Sequence, residues 1–366
     1  MTFEELCTFE VLYKAYKNAR KGKRSKAGTA QYEAQALAAT EKLAYILKTK
    51  KYVPSKFEVF FVHEPKRRLV QAPAFVDKVV QHALVDEILY AAITSSFIRD
   101  NHASQLGKGT HVGLDRLKFH MTDYFRKRKG KDENQRKAKG LPPRPMEEWD
   151  YAEGWVLKAD VRKFFASINH DLVKQKLREK VIDDQVYELM CTYIDSTDGL
   201  PLGYQTSQLL ALLFLDEFDH WVKEFLRIRH YGRYMDDFYL IHEDKEYLKY
   251  CRKEIEAYLR GLKLELNEKT NIFPLRNGID FLGYHAYLTE SGKVIRKLRR
   301  SSIKRMKNRI RKWDAEYKTG KVTKEEIMRS FNAWDAHASH GNTYALRKQM
   351  RERVEKIFKE EKHGDS

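Results

Sequence analysis

The chain has 366 residues, 42% hydrophobic and 33% charged, with 8 Pro and 18 Gly. That composition excludes collagen-like, low-complexity and wholly disordered classes, and the length exceeds what one core usually holds, so two or more packed lobes are expected. Seventy Lys+Arg against 52 Asp+Glu leave a net charge of +18, which favours a polyanionic partner, nucleic acid ahead of an anionic membrane. No apolar run reaches the ~20 residues of a membrane span, and the acidic start MTFEELCTFE has no signal-peptide layout. Cys7, Cys191 and Cys251 stand apart without a CxxC spacing. A cytosolic protein with reduced thiols, no membrane partner and no structural zinc is therefore expected.

In chain order, Leu6, Phe9 and Tyr13, and then Ala36, Ala39, Leu43 and Leu47, recur at helical spacing and predict two helices joined by a basic loop at 21–26. Phe57–Val62 and Leu69–Pro73 predict a hairpin with a cationic tip at Lys66, Arg67 and Arg68. Helical patterning returns over 75–93. Residues 124–154 are dominated by charged and polar residues and predict a mobile surface insertion. Trp155–Ala159 reads as a buried strand, 172–181 as a helix and Leu209–Leu226 as one apolar helix. Arg233-Tyr234 and Phe238–Ile241 read as half-strands flanking Met235-Asp236-Asp237. A helix over 245–260, a strand over 262–266 and a strand pair around Phe281–Tyr284 follow. Residues 293–312 hold eleven Lys/Arg and no acid; Ile303, Met306, Ile310 and Trp313 form an apolar stripe along a helix whose other faces are cationic.

Asp160 ends an apolar strand, and Asp236-Asp237 sit at an apolar strand–turn–strand junction. Burying unpaired carboxylates is costly, and clustering them adds repulsion. A divalent metal removes both penalties. Mg²⁺ takes carboxylate and phosphate oxygens, and two such ions ~4 Å apart stabilise the attacking and leaving oxygens of a phosphoryl transfer. The alternative is that Asp236 and Asp237 only shape a β-turn, where Asp is common. His337 and His340 with Asp335 fit no zinc spacing.

Arg233-Tyr234-Met235-Asp236-Asp237 between apolar runs resembles the YxDD box of reverse transcriptases, and ADVRKFFASINHD around Asp160 resembles the first palm motif of those enzymes. Gly199-Leu200-Pro201-Leu202-Gly203-Tyr204-Gln205-Thr206-Ser207-Gln208 looks like the next palm motif, and Gly278–Tyr284 like the strand beneath the thumb. The resemblance extends from Lys66–Gln81 to Trp334. It implies an α/β (α+β) right-hand polymerase with fingers, palm and thumb, the palm an antiparallel sheet backed by helices. The expected division is a helical extension over 1–50, fingers over 51–123, the insertion over 124–154, palm over 155–288, and thumb with C-terminal helices over 289–366.

By the same resemblance, Asp160, Asp236 and Asp237 are the catalytic residues and, with the Val161 carbonyl, the ligands of two Mg²⁺, or of Mn²⁺ in their place. Phe165 would stand against the sugar of the incoming dNTP and exclude a 2′-hydroxyl. Lys66, Arg67 and Arg68 would meet its triphosphate, Arg68 matching the family pattern best. Leu202, Gly203, Gln208, Tyr234 and Met235 would line the nucleotide and template site. Arg296, Arg299, Arg300, Lys304, Lys307 and Arg311 would hold a template RNA/cDNA duplex by its phosphates. Where many retroelement enzymes have QGxxxSP, this chain has Leu202 and Gln208, giving LGxxxSQ. That departure resembles the error-prone enzymes of diversity-generating retroelements, as do VHEPKRRLVQAPAFVDKVVQHAL and Phe331–Ala338. It implies a small, basic, oligomeric accessory protein as partner, with the insertion at Arg126–Lys139 a candidate contact for it or for RNA. Two alternatives stand beside it, a reverse transcriptase of antiphage defence and a non-catalytic nucleic-acid-binding protein for which the charge alone suffices.

Overall fold

The computed structural model describes residues 1–62, 67–145, 150 and 152–358. The N-terminal extension holds four helices rather than two: α1 (Phe3–Leu6), α2 (Phe9–Ala19), α3 (Ala27–Ala34) and α4 (Ala36–Lys48). Thr2 opens α1 with a capping box, its hydroxyl accepting from the Glu5 N–H while the Glu5 carboxylate accepts from the Thr2 N–H. Leu12, Ala15, Tyr16 and Ala19 form the buried stripe of α2. Strands β1 (Glu58–Val62) and β2 (Arg68–Ala72) pair antiparallel, Glu58 opposite Ala72 and Val62 opposite Arg68. The apolar residues of this hairpin face outward, Val59 being 52% and Phe61 48% exposed. Helices α5 (Phe75–Leu84) and α6 (Tyr90–Thr94) run on through a π turn at Val85–Leu89, and α5 packs on α2.

Helix α7 (Thr110–Ala138) departs from the sequence expectation. Its first half buries Leu114, Leu117, Met121, Tyr124 and Phe125. Residues 124–138, expected within a mobile insertion, continue the same helix. Their Lys, Arg, Glu and Gln are good helix formers, and the Asp123–Lys127 and Lys129–Glu133 pairs lie one turn apart. Charge alone was a poor guide to conformation there.

Strand β3 (Trp155–Asp160) is followed by helices α8 (Phe164–Ser167), α9 (His170–Lys180), α10 (Asp184–Ile194), α11 (Gln205–Phe214) and α12 (Asp216–Glu224). The single apolar helix expected over 209–226 thus breaks at Leu215, and Asp216 and Asp219 of α12 are buried. Strands β4 (His230–Tyr234) and β5 (Asp237–His242), helix α13 (Lys245–Gly261) and strand β6 (Asn271–Pro274) complete an antiparallel sheet of order β4-β5-β3-β6. The strand expected over 262–266 is not formed; only Leu266 bridges, to Val161, and the paired edge comes later, at β6. A second sheet holds β7 (Ile279–Phe281), β8 (Tyr284–Leu288) and β9 (Val294–Leu298). The basic segment therefore begins as a strand, and its helix α14 starts at Arg300 and ends at Lys318. Helices α15 (Lys324–Ala338) and α16 (Tyr344–Ile357) close around it, with Met306, Ile310, Trp313, Phe331 and Met350 in one core.

The four-stranded sheet is covered on both faces. Leu157, Ala159, Phe238 and Leu240 join the main helical core, while Val156, Tyr239 and Ile241 pack with α7 and the second sheet. This is the α+β plan predicted for a right-hand polymerase palm, an antiparallel sheet backed by helices.

Candidate active site

Asp160 ends β3 directly opposite Asp237, the first residue of β5. Tyr234 and Asp237 also pair, so Met235 and Asp236 are the two central residues of the β4–β5 hairpin. Met235 has φ 55°, and Asp236 is not among the positive-φ residues. A positive φ at the first central position alone marks a type II′ turn, a position that normally takes Gly. Holding Met there costs on the order of 1–3 kcal/mol. Both turn carbonyls are tied: Arg233 Nη1 donates to Met235 O at 2.9 Å, and the Val161 N–H donates to Asp236 O at 3.1 Å.

This geometry brings Asp236 against Asp160. Burial, followed by the Asp160 charge, pushes the Asp236 carboxyl up to about 6, with Arg68 pulling weakly the other way. Asn267 serves Asp160 twice, its N–H donating to the backbone carbonyl at 2.7 Å and its Nδ2 to Oδ2 at 3.3 Å. Asp237 turns aside and forms an ion pair with Lys158. The Lys158 ammonium is lowered by burial and then by Arg299, and it is supported by Asp160, Asp236 and Asp280.

Among the described residues no three His, Cys, Asp or Glu side chains assemble into a metal-holding group. The site is a two-carboxylate site, with Asp237 engaged beside it. Two carboxyls close enough for the charge of one to raise the other suit a divalent cation, which takes hard oxygen donors and offsets both the burial and the repulsion.

The other expected residues divide. Arg68 opens β2 and lies close enough for its charge to act on Asp236. Arg67 stacks on the Phe61 ring at 4.1 Å, and Lys66 lies outside the described residues. Leu202 and Gly203 meet the hairpin: the Gln71 N–H donates to Leu202 O at 2.8 Å, and a Cβ on Gly203 would sit 2.6 Å from Gln71 O at a φ of +127°. Phe164 packs inward while its neighbour Phe165, edge-on to it at 5.7 Å, stays half-buried. Gln208 is exposed and accepts from Ser104 Oγ at 2.9 Å. Tyr234 is half-buried against the second-sheet core. Of the basic residues, Arg300, Lys304 and Arg311 are exposed on α14 and Lys307 is half-buried. Arg296 is bound to Asp115 at 2.8 Å and Arg299 to Asp280 at 3.3 Å.

Lys158, Asn267, Asp219 and Arg233 escape the sequence reading. Lys158 carries a usable signal, a charge two residues before Asp160 and hence on the same strand face. Asp219 within an apolar stretch was a second, since a buried acid needs a partner; nothing in the sequence says that the partner is Arg233.

Residues 63–286, more than half of the chain, match the family model described as reverse transcriptase (RNA-dependent DNA polymerase). Protein YkfC of Escherichia coli is 25% identical over 268 residues, 60% of this chain and 63% of that protein. The putative COX1/OXI3 intron 1 protein of Saccharomyces cerevisiae is 25% identical over 127 residues, 31% of this chain and 14% of that one. The chain thus spans less than two thirds of these curated relatives. The apo telomerase of Candida tropicalis aligns with a TM-score of 0.48 at 13% identity, over 68% of this chain and 48% of its own. The matched segment takes in the β1–β2 hairpin from β2 onward, all of the four-stranded sheet and both strands that carry the paired aspartates, and by that match the chain belongs to the reverse transcriptase (RNA-dependent DNA polymerase) family.

Proposed function

We propose that the chain is an RNA-directed DNA polymerase that adds dNTPs to a primer 3′-hydroxyl along a template RNA. The observation that carries this is the convergence of Asp160, at the end of β3, with Asp236, in the β4–β5 turn, held by the Asp160–Asp237 register and the Val161 N–H to Asp236 O hydrogen bond. Asp160 and Asp236 would hold Mg²⁺, or Mn²⁺, with Asp237 and the Val161 carbonyl as further donors. Bound there, the metal supplies a lowered pKa for the attacking hydroxyl and charge neutralisation for the leaving pyrophosphate. The chain's own residues position the partners: Asn267 orients Asp160, Arg68 offers a guanidinium to the triphosphate, half-buried Phe165 presents an edge to the sugar, and Arg300, Lys304 and Arg311 face a duplex.

The finer reading, error-prone copying in a diversity-generating retroelement with a small basic accessory protein, is supported by the LGxxxSQ motif. An aliphatic side chain at Leu202 offers a template base contact without hydrogen-bond discrimination. Primer extension on an RNA template tests the activity. Wild type should extend with Mg²⁺ and stop on adding EDTA; full extension by Asp236→Ala/Asp237→Ala would sink the proposal, and RNA binding with no synthesis even in Mg²⁺ would favour a non-catalytic role.

A further inference from the structure

Arg233 and Asp219 are among the most deeply buried charges in the described structure, each with a wholly buried side chain. Arg233 Nε and Nη2 donate to the two Asp219 oxygens at 2.7 and 2.5 Å, and Tyr231 Oη donates to Oδ1 at 2.5 Å. The guanidinium thus spends two nitrogens on Asp219, and the third, Nη1, is the donor to Met235 O. Its backbone is also clamped, the N–H donating to Asp100 O at 2.9 Å and the carbonyl accepting from the His102 N–H at 3.0 Å. A core needs no ion pair at this place, because an apolar pair of similar volume usually serves stability as well. What an apolar pair lacks is a donor aimed at the peptide following a positive-φ methionine.

We infer that Arg233 is a positioning residue, held by Asp219, whose contact with the Met235 carbonyl keeps the strained turn in the shape that sets Asp236 against Asp160. Helix α12, through Asp219, thereby sets the geometry of a turn it does not itself enter. The inference rests on the proposed metal-dependent polymerase reading, and its test has one arm that does not.

The test is a mutant cycle on the full chain, read by primer extension and, separately, by titrating Mn²⁺ into the protein alone and following its EPR signal. Arg233→Lys keeps a positive charge opposite Asp219, but one ammonium cannot occupy the three positions of the guanidinium nitrogens. It is expected to lower kcat ~10–100-fold with little change in nucleotide KM, and to weaken Mn²⁺ binding ~10-fold or more, as loss of a supporting hydrogen bond does at metal sites. Met235→Gly accepts positive φ without strain. In that background the same Arg233→Lys change should cost less than about threefold, measured against Met235→Gly alone. An equal loss in both backgrounds, or activity and Mn²⁺ binding that merely follow the folded fraction, would overturn the inference. If Arg233→Lys does not fold, Asp219→Leu/Arg233→Met, which leaves no buried charge behind, takes its place in the same cycle with the same expected and overturning outcomes. A wild-type chain that binds Mn²⁺ but extends no primer defeats the polymerase reading alone, and the Mn²⁺ arm still decides the role of Arg233.

Discussion

Asp236 is held in a position where ionising costs free energy. Its carboxyl is raised to about 6 in the folded chain, by burial and then by Asp160, whereas the unfolded chain returns it to about 3.8. The folded state therefore binds this proton more tightly, so the contribution to stability is complete below pH ~4 and lost as pH rises through ~6. The metal-free protein should lose on the order of 2–3 kcal/mol at this site between those limits. Asp236→Asn should abolish that loss. Buried His102, His120 and His230 are shifted down by burial and act in the opposite sense, losing stability as pH falls. The wild-type minus Asp236→Asn difference in calorimetry isolates the aspartate from them. Mn²⁺ should raise the melting temperature more at pH 7.5 than at pH 5.5; a pH-independent increment would contradict the raised Asp236 carboxyl. Phe165 makes a second prediction at this scale. Shortening it to Ala should raise ribonucleotide incorporation ~10–100-fold relative to dNTPs, the range that removal of a steric contact commands, and unchanged discrimination in competition assays would remove it from the sugar site.

At the scale of elements, the Gln71–Leu202 hydrogen bond couples the β1–β2 hairpin to the loop before α11. Gly203→Ala would place a methyl 2.6 Å from Gln71 O at a φ of +127°. It should cost roughly 1–3 kcal/mol and raise the dNTP KM more than it lowers kcat; a stable variant with wild-type KM would show that the loop and hairpin work apart. Helix α14 predicts differently. Lys304→Glu/Arg311→Glu lies on exposed positions away from the Met306–Ile310–Trp313 stripe, so melting should stay put while the log–log salt slope of duplex binding falls by ~2 or more. The apolar stripe of α14 was legible because amphipathic periodicity survives in a segment with eleven cations. The strand at 294–298 was not, since charges on an exposed edge mask its alternation. The same masking turned the end of α7 into an apparent loop.

For the whole molecule, the aspartates could be placed from sequence because strand ends and turns have local signatures: an apolar run broken by Asp160, and two half-strands around Asp236. Their partners could not. Arg233 with Asp219, Arg296 with Asp115, Arg299 with Asp280 and Lys158 with Asp237 join separate elements, and long-range pairing leaves no periodic trace. Two of the six basic residues expected on nucleic acid are thus committed to acids within the chain. Basic residues hold the second sheet to α7 as well as facing solvent, and a count of cations by itself overstates the surface offered to a polyanion.

The β1–β2 hairpin carries one more implication, for handling. Val59, Phe60, Phe61, Val62 and Leu69 are all exposed, and β1 pairs with β2 alone among the described residues. A short apolar ribbon with an open edge is a template for strand addition between chains. Concentrated protein without nucleic acid should self-associate through this ribbon, and charged substitutions at Val59 or Phe61 should improve solubility.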